Sequence, residues 1–436
     1  MQVLEIHKLG PIEECVVEIT PYMVLTGPQA SGKSTIAKAT YFFKSVKNVV
    51  MEQMAKLHWS IFLADESDAG NRLKRDTIKQ MRLVFMQIFG STWGMDRDMK
   101  IHYEYTPEYS ITVSLTDDPY NPNYLWFEFS EALTELIGKW NSQINEEKSN
   151  LNLTMLQEQV GKELEQLEET VYIPAGRSMM TLLSGQINYL YSTMDDTQKR
   201  TIDYCTQNYL ERIMRIKNSF SEGMDKMVAD FYATSSERRQ KRAVRAAGAL
   251  IGQILKGEYR CVSGEERLLL SDDRYIKINF ASSGQQEAIW ILNILFYHLL
   301  YNKQAYFIIE EPESNLFPEA QMYITELISL VQNYGHKVFV TTHSPYVLGT
   351  MNNLLFADSL LNQGVAGVEQ IISPDYRIHY ENLTALYLEK GMAEDCKDEE
   401  EKLIRNEVID GASRIINKVF DDLMEIFLNN RRFVIF

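Results

Sequence analysis

Cysteine is scarce in this chain: Cys15, Cys205, Cys261 and Cys396 stand far apart, and no C-x-x-C pair is present. That spacing excludes a zinc hook or any obvious metal cluster and leaves reduced, buried thiols as the expectation. Long apolar runs are missing too. None approaches the ~20 residues of a membrane-spanning helix, and the opening Met1-Gln2-Val3-Leu4-Glu5 lacks the basic stretch of a signal peptide. A cytoplasmic protein with no membrane partner is expected. Positive charge is in deficit, with 44 Lys and Arg against 60 Asp and Glu and a formal net charge of −16. So acidic a chain does not coat nucleic acid with its whole surface, although local basic patches stay open. Proline is absent from Gly176 to Glu311, which leaves long helices free to run there.

What is present suffices for a packed core, since 45% of the 436 residues are hydrophobic and the length allows two to three domains of ~100–200 residues. The segment Gly27-Pro28-Gln29-Ala30-Ser31-Gly32-Lys33-Ser34 fits the P-loop pattern G-x-x-x-x-G-K-[ST]. Tyr22 to Thr26 is an apolar run suited to a buried strand, and Ser34-Thr35-Ile36-Ala37-Lys38-Ala39 opens a helix. Glycines at 27 and 32 let backbone N–H groups surround phosphates above the positive helix end. Gly27, Gln29, Ser31, Gly32, Lys33, Ser34 and Thr35 are therefore the candidate nucleotide contacts, with Lys33 on the β and γ phosphates and Ser34 on Mg²⁺. Strand, loop, Lys-Ser pair and helix together set this apart from a chance Gly/Ser turn.

Ala305 to Ile309 is a second buried-strand candidate and delivers Glu310 and Glu311 at its C-terminal end, where open α/β sheets bind their ligands. Glu310 is assigned to the metal, directly or through water, and Glu311 to polarising the attacking water. By itself Glu310-Glu311-Pro312-Glu313 reads equally well as a solvated loop; beside a P-loop it does not. Lys337 to Thr342 is a third such strand and ends in His343, placed to face a γ-phosphate. Ser282-Ser283-Gly284-Gln285-Gln286 precedes an apolar helix from Glu287 to Leu300. Its small residues and free N–H groups suit an anion, and simple N-capping by Ser282 or Ser283 is the other reading.

These four segments, in this order, resemble the ABC-type ATPase set of Walker A, signature, Walker B and switch histidine. Within it the chain is similar to the soluble branch of RecF, Rad50/SMC heads and OLD-family ATPases. Val3 to Ile6 and Val16 to Ile19 look like that branch's N-terminal strands. The strings Glu310-Glu311-Pro312-Glu313-Ser314-Asn315-Leu316-Phe317-Pro318 and Thr341-Thr342-His343-Ser344-Pro345-Tyr346-Val347-Leu348 look like OLD-type ATPases. The resemblance covers residues 1 to about 45 and 270 to about 365 well, and the middle only loosely. It implies an α/β P-loop NTPase fold of the ABC-ATPase head type, a mixed sheet with a β-rich lobe and a helical arm insertion, and ATP with Mg²⁺. It also implies catalysis in trans: the signature segment of one subunit, through Ser283, Gly284 and Gln286, closes over nucleotide held by another, so the chain is at least a dimer. Glu311 and His343 are then the catalytic pair, and Ser34 with Glu310 the metal ligands. Two departures stand out, Glu310 for the usual Asp and Gln285 where many signatures have Gly. Both leave the hydrolysis rate open.

Along the chain, three parts are expected: an N-terminal ATPase lobe over residues 1–184, a helical arm over 185–260, and a C-terminal lobe over 261–436. Helices are expected from 46 to about 100 and from 131 to 169, with strands between 101 and 130 and a turn at Asp117-Asp118-Pro119. The arm is read as two antiparallel helices of ~30 residues, reaching ~45 Å. On it Arg238, Lys241, Arg242 and Arg245, with Arg239 beside them, form a basic stripe that is either a solvated face or a grip for phosphate backbone or an acidic protein. Val171 to Ala175 reads as a strand leading to Arg177, which sits either near nucleotide or a subunit contact or in a structural ion pair. A strand and turn are expected around Gly364 to Ile372. Ile416, Val419, Phe420, Leu423, Ile426 and Phe427 share one face of a last helix that packs on the head or on another subunit.

No Toprim or H-N-H nuclease pattern follows the ATPase motifs. The resemblance therefore points to an ATPase subunit of a bacterial anti-phage defence complex, similar to those of PARIS or Septu systems, that oligomerises and controls a separate nuclease effector, with DNA or a phage protein as a further partner. The alternative is a RecF/Rad50-like repair ATPase that clamps DNA itself. The soluble half of a membrane transporter fits the motifs but not the insertions.

Overall fold

The computed structural model describes residues 2–64, 72–116, 123–146, 152–181, 202–271 and 274–405, with a few further positions between 193 and 198 and between 408 and 426. The chain opens with a hairpin, β1 (Gln2–Leu9) and β2 (Ile12–Ile19), and then β3 (Tyr22–Thr26), which leads through a loop into α1 (Lys33–Ala64). There follow α2 (Arg72–Phe89), β4 (Lys100–Glu104), β5 (Ser110–Leu115), β6 (Leu125–Phe129), α3 (Glu131–Glu146), α4 (Leu153–Glu163) and β7 (Glu169–Ile173). The middle holds α5 (Tyr204–Ile216), α6 (Met224–Thr234) and α7 (Arg238–Leu255), then a small antiparallel sheet of β8 (Glu258–Val262), β9 (Glu265–Ser271) and β10 (Arg274–Lys277). The last part gives α8 (Ser283–Leu300), β11 (Ala305–Glu310), α9 (Pro318–Asn333), β12 (Lys337–Thr342), α10 (Pro345–Asn362), β13 (Leu383–Glu389), β14 (Met392–Asp395), β15 (Lys397–Asp398) and β16 (Leu403–Ile404).

One sheet organises all of this, in the order β6-β5-β4-β1-β2-β14-β13-β3-β12-β11-β7. From β7 to β13 every pairing is parallel; beyond β13 the pairings are antiparallel except β14 with β2. The expected mixed α/β sheet with a β-rich lobe is thus what the chain builds. Parallel strands need crossover helices, and those helices cover both faces. The two-residue period of a strand then sends alternate side chains to opposite cores. Tyr22, Val24, Phe307, Ile309, Val338 and Val340 join the helices α7, α8 and α9 on one face. Met23, Leu25, Tyr306, Ile308 and Phe339 join α1 on the other. Burial on both sides explains why these strands read as unbroken apolar runs.

Several expectations are corrected. Among the described residues the 30-residue arm helices are not seen: Tyr204 to Leu255 forms helices of 13, 11 and 18 residues. The physical reason lies on α7, where Ala243, Val244, Ala247, Leu250, Ile251 and Ile254 make an apolar stripe that is buried in the head. Between Gly364 and Ile372 there is a single 3-10 turn, Val368–Gln370, and no strand. The strand in this part of the chain is β13, which pairs with β3 at the centre of the sheet. Val419, Phe420, Leu423 and Ile426 are each more than half exposed, so of the two expected places for this face, the head or another subunit, these four residues do not pack on the head of their own chain; Ile416 and Phe427 lie outside the described residues, as does the turn at Asp117-Asp118-Pro119.

The parallel core and the antiparallel lobe are joined at Gly391. Its carbonyl accepts from Glu13 N at 2.9 Å and Glu14 N at 3.3 Å, and β14 meets β2 through the single pair Met392–Glu14. A Cβ there would sit 2.7 Å from the Pro11 carbonyl and 2.8 Å from Glu13 N, at a φ of +79°. Gly364 has nearly the same φ, +76°, in open space. Gly391→Ala is expected to cost about 3 kcal/mol, against about 1 kcal/mol for Gly364→Ala, in denaturant melts. Equal losses at the two positions would show that the junction yields.

Candidate nucleotide site

Strand register brings the motif residues together. Thr26 at the end of β3 pairs with Thr342 at the end of β12, and Thr341 pairs with Glu310 at the end of β11. The P-loop, His343 and the two glutamates therefore leave the sheet side by side.

In the P-loop, Gly27 has φ +143° and a Cβ there would lie 2.2 Å from the Leu388 carbonyl on β13; at Gly32, φ +105°, it would lie 2.2 Å from Ile12 Cδ1. At Gly27 the backbone leaves no room for a side chain, and at Gly32 the positive φ strains any other residue. Lys33 is buried, and its Nζ donates to the Gly27 carbonyl at 2.9 Å, the Pro28 carbonyl at 2.7 Å and Ser31 Oγ at 3.3 Å. Burial holds the Lys33 ammonium below the usual lysine range, opposed by the negative charges of Glu311 and Glu313. Gln29 and Ser34 are exposed, Ser31 is buried and Thr35 is half-buried.

His343 ties the loop to the carboxylates. Its Nδ1 lies 3.1 Å from the Gly27 carbonyl and its Nε2 2.8 Å from Glu311 Oε1. Both ring nitrogens face acceptors, the arrangement that suits the doubly protonated imidazolium. Accordingly the Glu311 hydrogen bond raises the His343 pKa, and the same bond holds Glu311 below the usual carboxylate range. Ser314 Oγ donates to the other Glu311 oxygen at 3.1 Å, and Glu311 itself takes φ +43°. Glu313 turns inward, accepting from Thr342 Oγ1 at 2.6 Å and from His343 N at 2.8 Å. The motif string contained Glu313 but gave it no role.

Glu310 is 4% exposed. Its Oε2 accepts from Ala175 N at 3.2 Å, while Oε1 is buried without a hydrogen-bond partner, as is the neighbouring Tyr172 hydroxyl. An orphaned carboxylate oxygen at the end of a sheet fits a Mg²⁺ ligand or its water, since that ion takes one or two protein ligands and fills its shell with phosphate oxygens and water. With the exposed Ser34 hydroxyl, these residues fit the ion.

The signature segment lies elsewhere. Ser282 caps α8 in a reciprocal pair with Gln285, accepting from Gln285 N at 3.3 Å while its own N–H donates to Gln285 Oε1 at 3.0 Å. Ser283 is exposed. Gly284 is packed so closely that a Cβ would lie 2.5 Å from the Asn315 carbonyl. Gln286, expected on nucleotide, is corrected: it is buried, and its Nε2 donates to the Ile278, Asn279 and Ala281 carbonyls at 3.1, 3.3 and 3.1 Å. Its amide holds the turn into α8. Of the two readings of Arg177, the ion pair is observed, buried against Glu287 at 3.4 Å.

Two clefts border these segments and share no lining residue. One, of about 850 Å³, is lined by Lys8, Gly10 and Glu13 of the first hairpin, by Ser34, Thr35 and Lys38, and by Trp93 and Met95. Trp93 is 78% exposed. No sequence pattern singled it out. The other, of about 310 Å³, is lined by Ser283, Gly284, Asn315 and Phe317.

The His343–Glu311 pair sets a pH dependence. Raised above its ordinary 6.5, His343 contributes stability that is full below pH 6.5 and lost as pH rises through the folded value; lowered below its ordinary 4.5, Glu311 contributes stability that is full above pH 4.5 and lost as pH falls through the folded value. Both side chains are a third exposed, so solvent screening limits the gain to roughly 0.5 kcal/mol. Melting curves of the wild type and His343→Gln should differ most between pH 4.5 and 6.5 and converge at higher pH. A constant gap from pH 5 to 9 would show that the pair carries no such charge.

A family model described as an AAA ATPase domain matches residues 1–348. Among curated proteins no sequence matches. Similar solved structures include an SMC head bound to the C-terminal winged-helix domain of ScpA, at 12% identity and TM-score 0.37 over 90% of this chain and 95% of that one. The SMC head domain from Thermotoga maritima gives 11% identity and TM-score 0.35, with 90% and 96% covered. A Pyrococcus furiosus Smc head with an extended coiled coil, bound to a ScpA domain, gives 10% identity and TM-score 0.37, with 96% and 100% covered. With four-fifths of its length matched by the family model, the chain belongs to the AAA ATPase domain family.

Proposed function

We propose that this chain binds ATP with Mg²⁺ on its P-loop and hydrolyses it when a second copy closes its Ser283 edge over the γ-phosphate, as in ABC-type ATPases. The observation that carries the reading is the convergence of Lys33 and His343 on the Gly27 carbonyl, with Glu311 bonded to His343, while Ser283 is exposed on a separate cleft. Each chain then presents half of two sites, one cradle and one cap. The base and ribose would occupy the cleft bordered by Trp93, and Mg²⁺, held by Ser34 and Glu310, would neutralise phosphate charge.

In this scheme the His343–Glu311 bond is a resting lock. An incoming γ-phosphate competes with the Glu311 carboxylate for the imidazolium and draws it away. The freed carboxylate, released from the bond that held its pKa down and still ionised at neutral pH at an ordinary carboxylate value, accepts a proton as water attacks the γ-phosphorus and the bond to the β-phosphate oxygen breaks. Lys33 exchanges its carbonyl partners for phosphate oxygens.

For the cellular role we favour an ATPase subunit of an anti-phage defence complex that governs a separate nuclease, on the OLD-like strings at 310–318 and 341–348. The second reading, a RecF-like ATPase clamping DNA, rests on Arg238 and Arg245, which are exposed on α7. Their neighbours are committed within the chain: Arg239 donates to the Asn333 carbonyl at 2.9 Å, Lys241 to the Tyr232 carbonyl at 2.9 Å, and Arg242 pairs with Asp375. That leaves the stripe little to offer a phosphate backbone and favours the first reading.

Glu311→Gln is expected to lower turnover on the order of a hundredfold and to hold the chain as an ATP-bound oligomer, whereas Lys33→Ala abolishes nucleotide binding. Light scattering of Glu311→Gln with ATP should give at least twice the 50.5 kDa of one chain; an unchanged monomer would contradict closure in trans. Hydrolysis stimulated by duplex DNA, lost on raising salt and on neutralising Arg238 and Arg245, would instead support the clamp.

A further inference from the structure

We propose that Arg177 is a positioning residue that links the Ser283 edge of each subunit to that subunit's own Glu310–Glu311 pair, so that a partner closing on one nucleotide is felt at the other. The inference rests on the sandwich reading above. Arg177 follows β7 by four positions and is fully buried. Its Nη1 donates to the Glu310 carbonyl at 2.6 Å and to the Pro174 carbonyl, and its Nη2 donates to the Glu311 carbonyl at 2.9 Å. On the other side, Nε donates to the Glu287 carbonyl at 3.2 Å and lies 3.4 Å from the Glu287 carboxylate, which also accepts from Arg177 N at 2.9 Å.

Glu287 stands on α8 one helical turn beyond Ser283. One guanidinium therefore touches both the helix that presents the signature edge and the backbone that aims Glu311. That backbone needs holding, because Glu311 takes a φ of +43°, a left-handed conformation uncommon for a residue with a Cβ. Two lesser ties run parallel: Thr181 Oγ1 donates to the Gln286 carbonyl at 2.9 Å, and Gly284 abuts the Asn315 carbonyl beyond Glu313. Only a planar fork with several donors spans these acceptors; a lysine offers one point.

Movement of α8 as a partner docks on Ser283 thus reaches Glu287, Arg177 and the Glu310–Glu311 carbonyls in succession. The carboxylate that polarises water in one site answers to closure of the other.

The test is steady-state hydrolysis by the full chain across ATP concentrations, for the wild type, Arg177→Lys, and a double variant, Arg177→Met with Glu287→Leu. The double variant removes both buried charges at similar volume, a change that cores accept. Expected are a near-wild-type melting temperature, half-saturation by ATP within about twofold, turnover lower on the order of a hundredfold, and a Hill coefficient falling to one. Arg177→Lys should show the same split in milder form. Wild-type turnover and cooperativity in the double variant would overturn the coupling, as would ATP affinity and melting temperature falling together with turnover, the mark of a merely structural pair. A wild type that hydrolyses ATP as a non-cooperative monomer would sink the sandwich reading itself, and the coupling with it.

Discussion

Everything at this site depends on three parallel strands ending at one level. Thr26 beside Thr342, and Thr341 beside Glu310, are register facts fixed by backbone hydrogen bonds deep in the sheet. A slip of one residue would turn every side chain to the wrong core, so the double burial of β3, β11 and β12 holds the register firmly. Chemistry then follows from geometry: a glycine loop, a histidine and two glutamates can only meet because hydrophobic burial set their strands abreast.

The polar groups at this edge are arranged by how each charge is compensated. Lys33, Glu311 and His343 lie within one another's fields: the two cations repel each other, and the Glu311 carboxylate offsets both. Glu313 spends one oxygen on Thr342 and His343 N and keeps the other unpaired, as Glu310 keeps Oε1. Two buried carboxylate oxygens without partners are expensive, about 1–3 kcal/mol each by the cost of an unsatisfied buried group. Such strain persists where a ligand relieves it.

Much of this was legible in the sequence, and for a physical reason. Buried parallel strands read as apolar runs, so β3, β11 and β12 were visible, and the residues at their ends followed. β13 was not, because Leu383–Glu389 mixes Thr and Tyr among its aliphatics and leads into an acidic stretch, though it pairs with β3. Gln286 was misplaced because a motif gives residue order and not side-chain direction; the capping pair of Ser282 and Gln285 turns it inward. The arm departs from the sequence expectation because α7 carries, opposite its basic stripe, an apolar stripe that the head buries. Arg177 kept two readings because its partners, Glu287 and the Glu310 carbonyl, lie more than a hundred residues away.

A glutamate in place of aspartate at position 310 gains a reason from the same contacts. The longer side chain lets Oε2 reach Ala175 N on the neighbouring β7 connection while Oε1 stays buried and unpaired. Its main-chain carbonyl is meanwhile held by Arg177. One residue is thus tied to the β7 connection by its carboxylate and to Arg177 by its backbone. An aspartate, one methylene shorter, would have to give up either the Ala175 bond or the depth at which the other oxygen sits, so the extra methylene and the buried arginine belong to one arrangement.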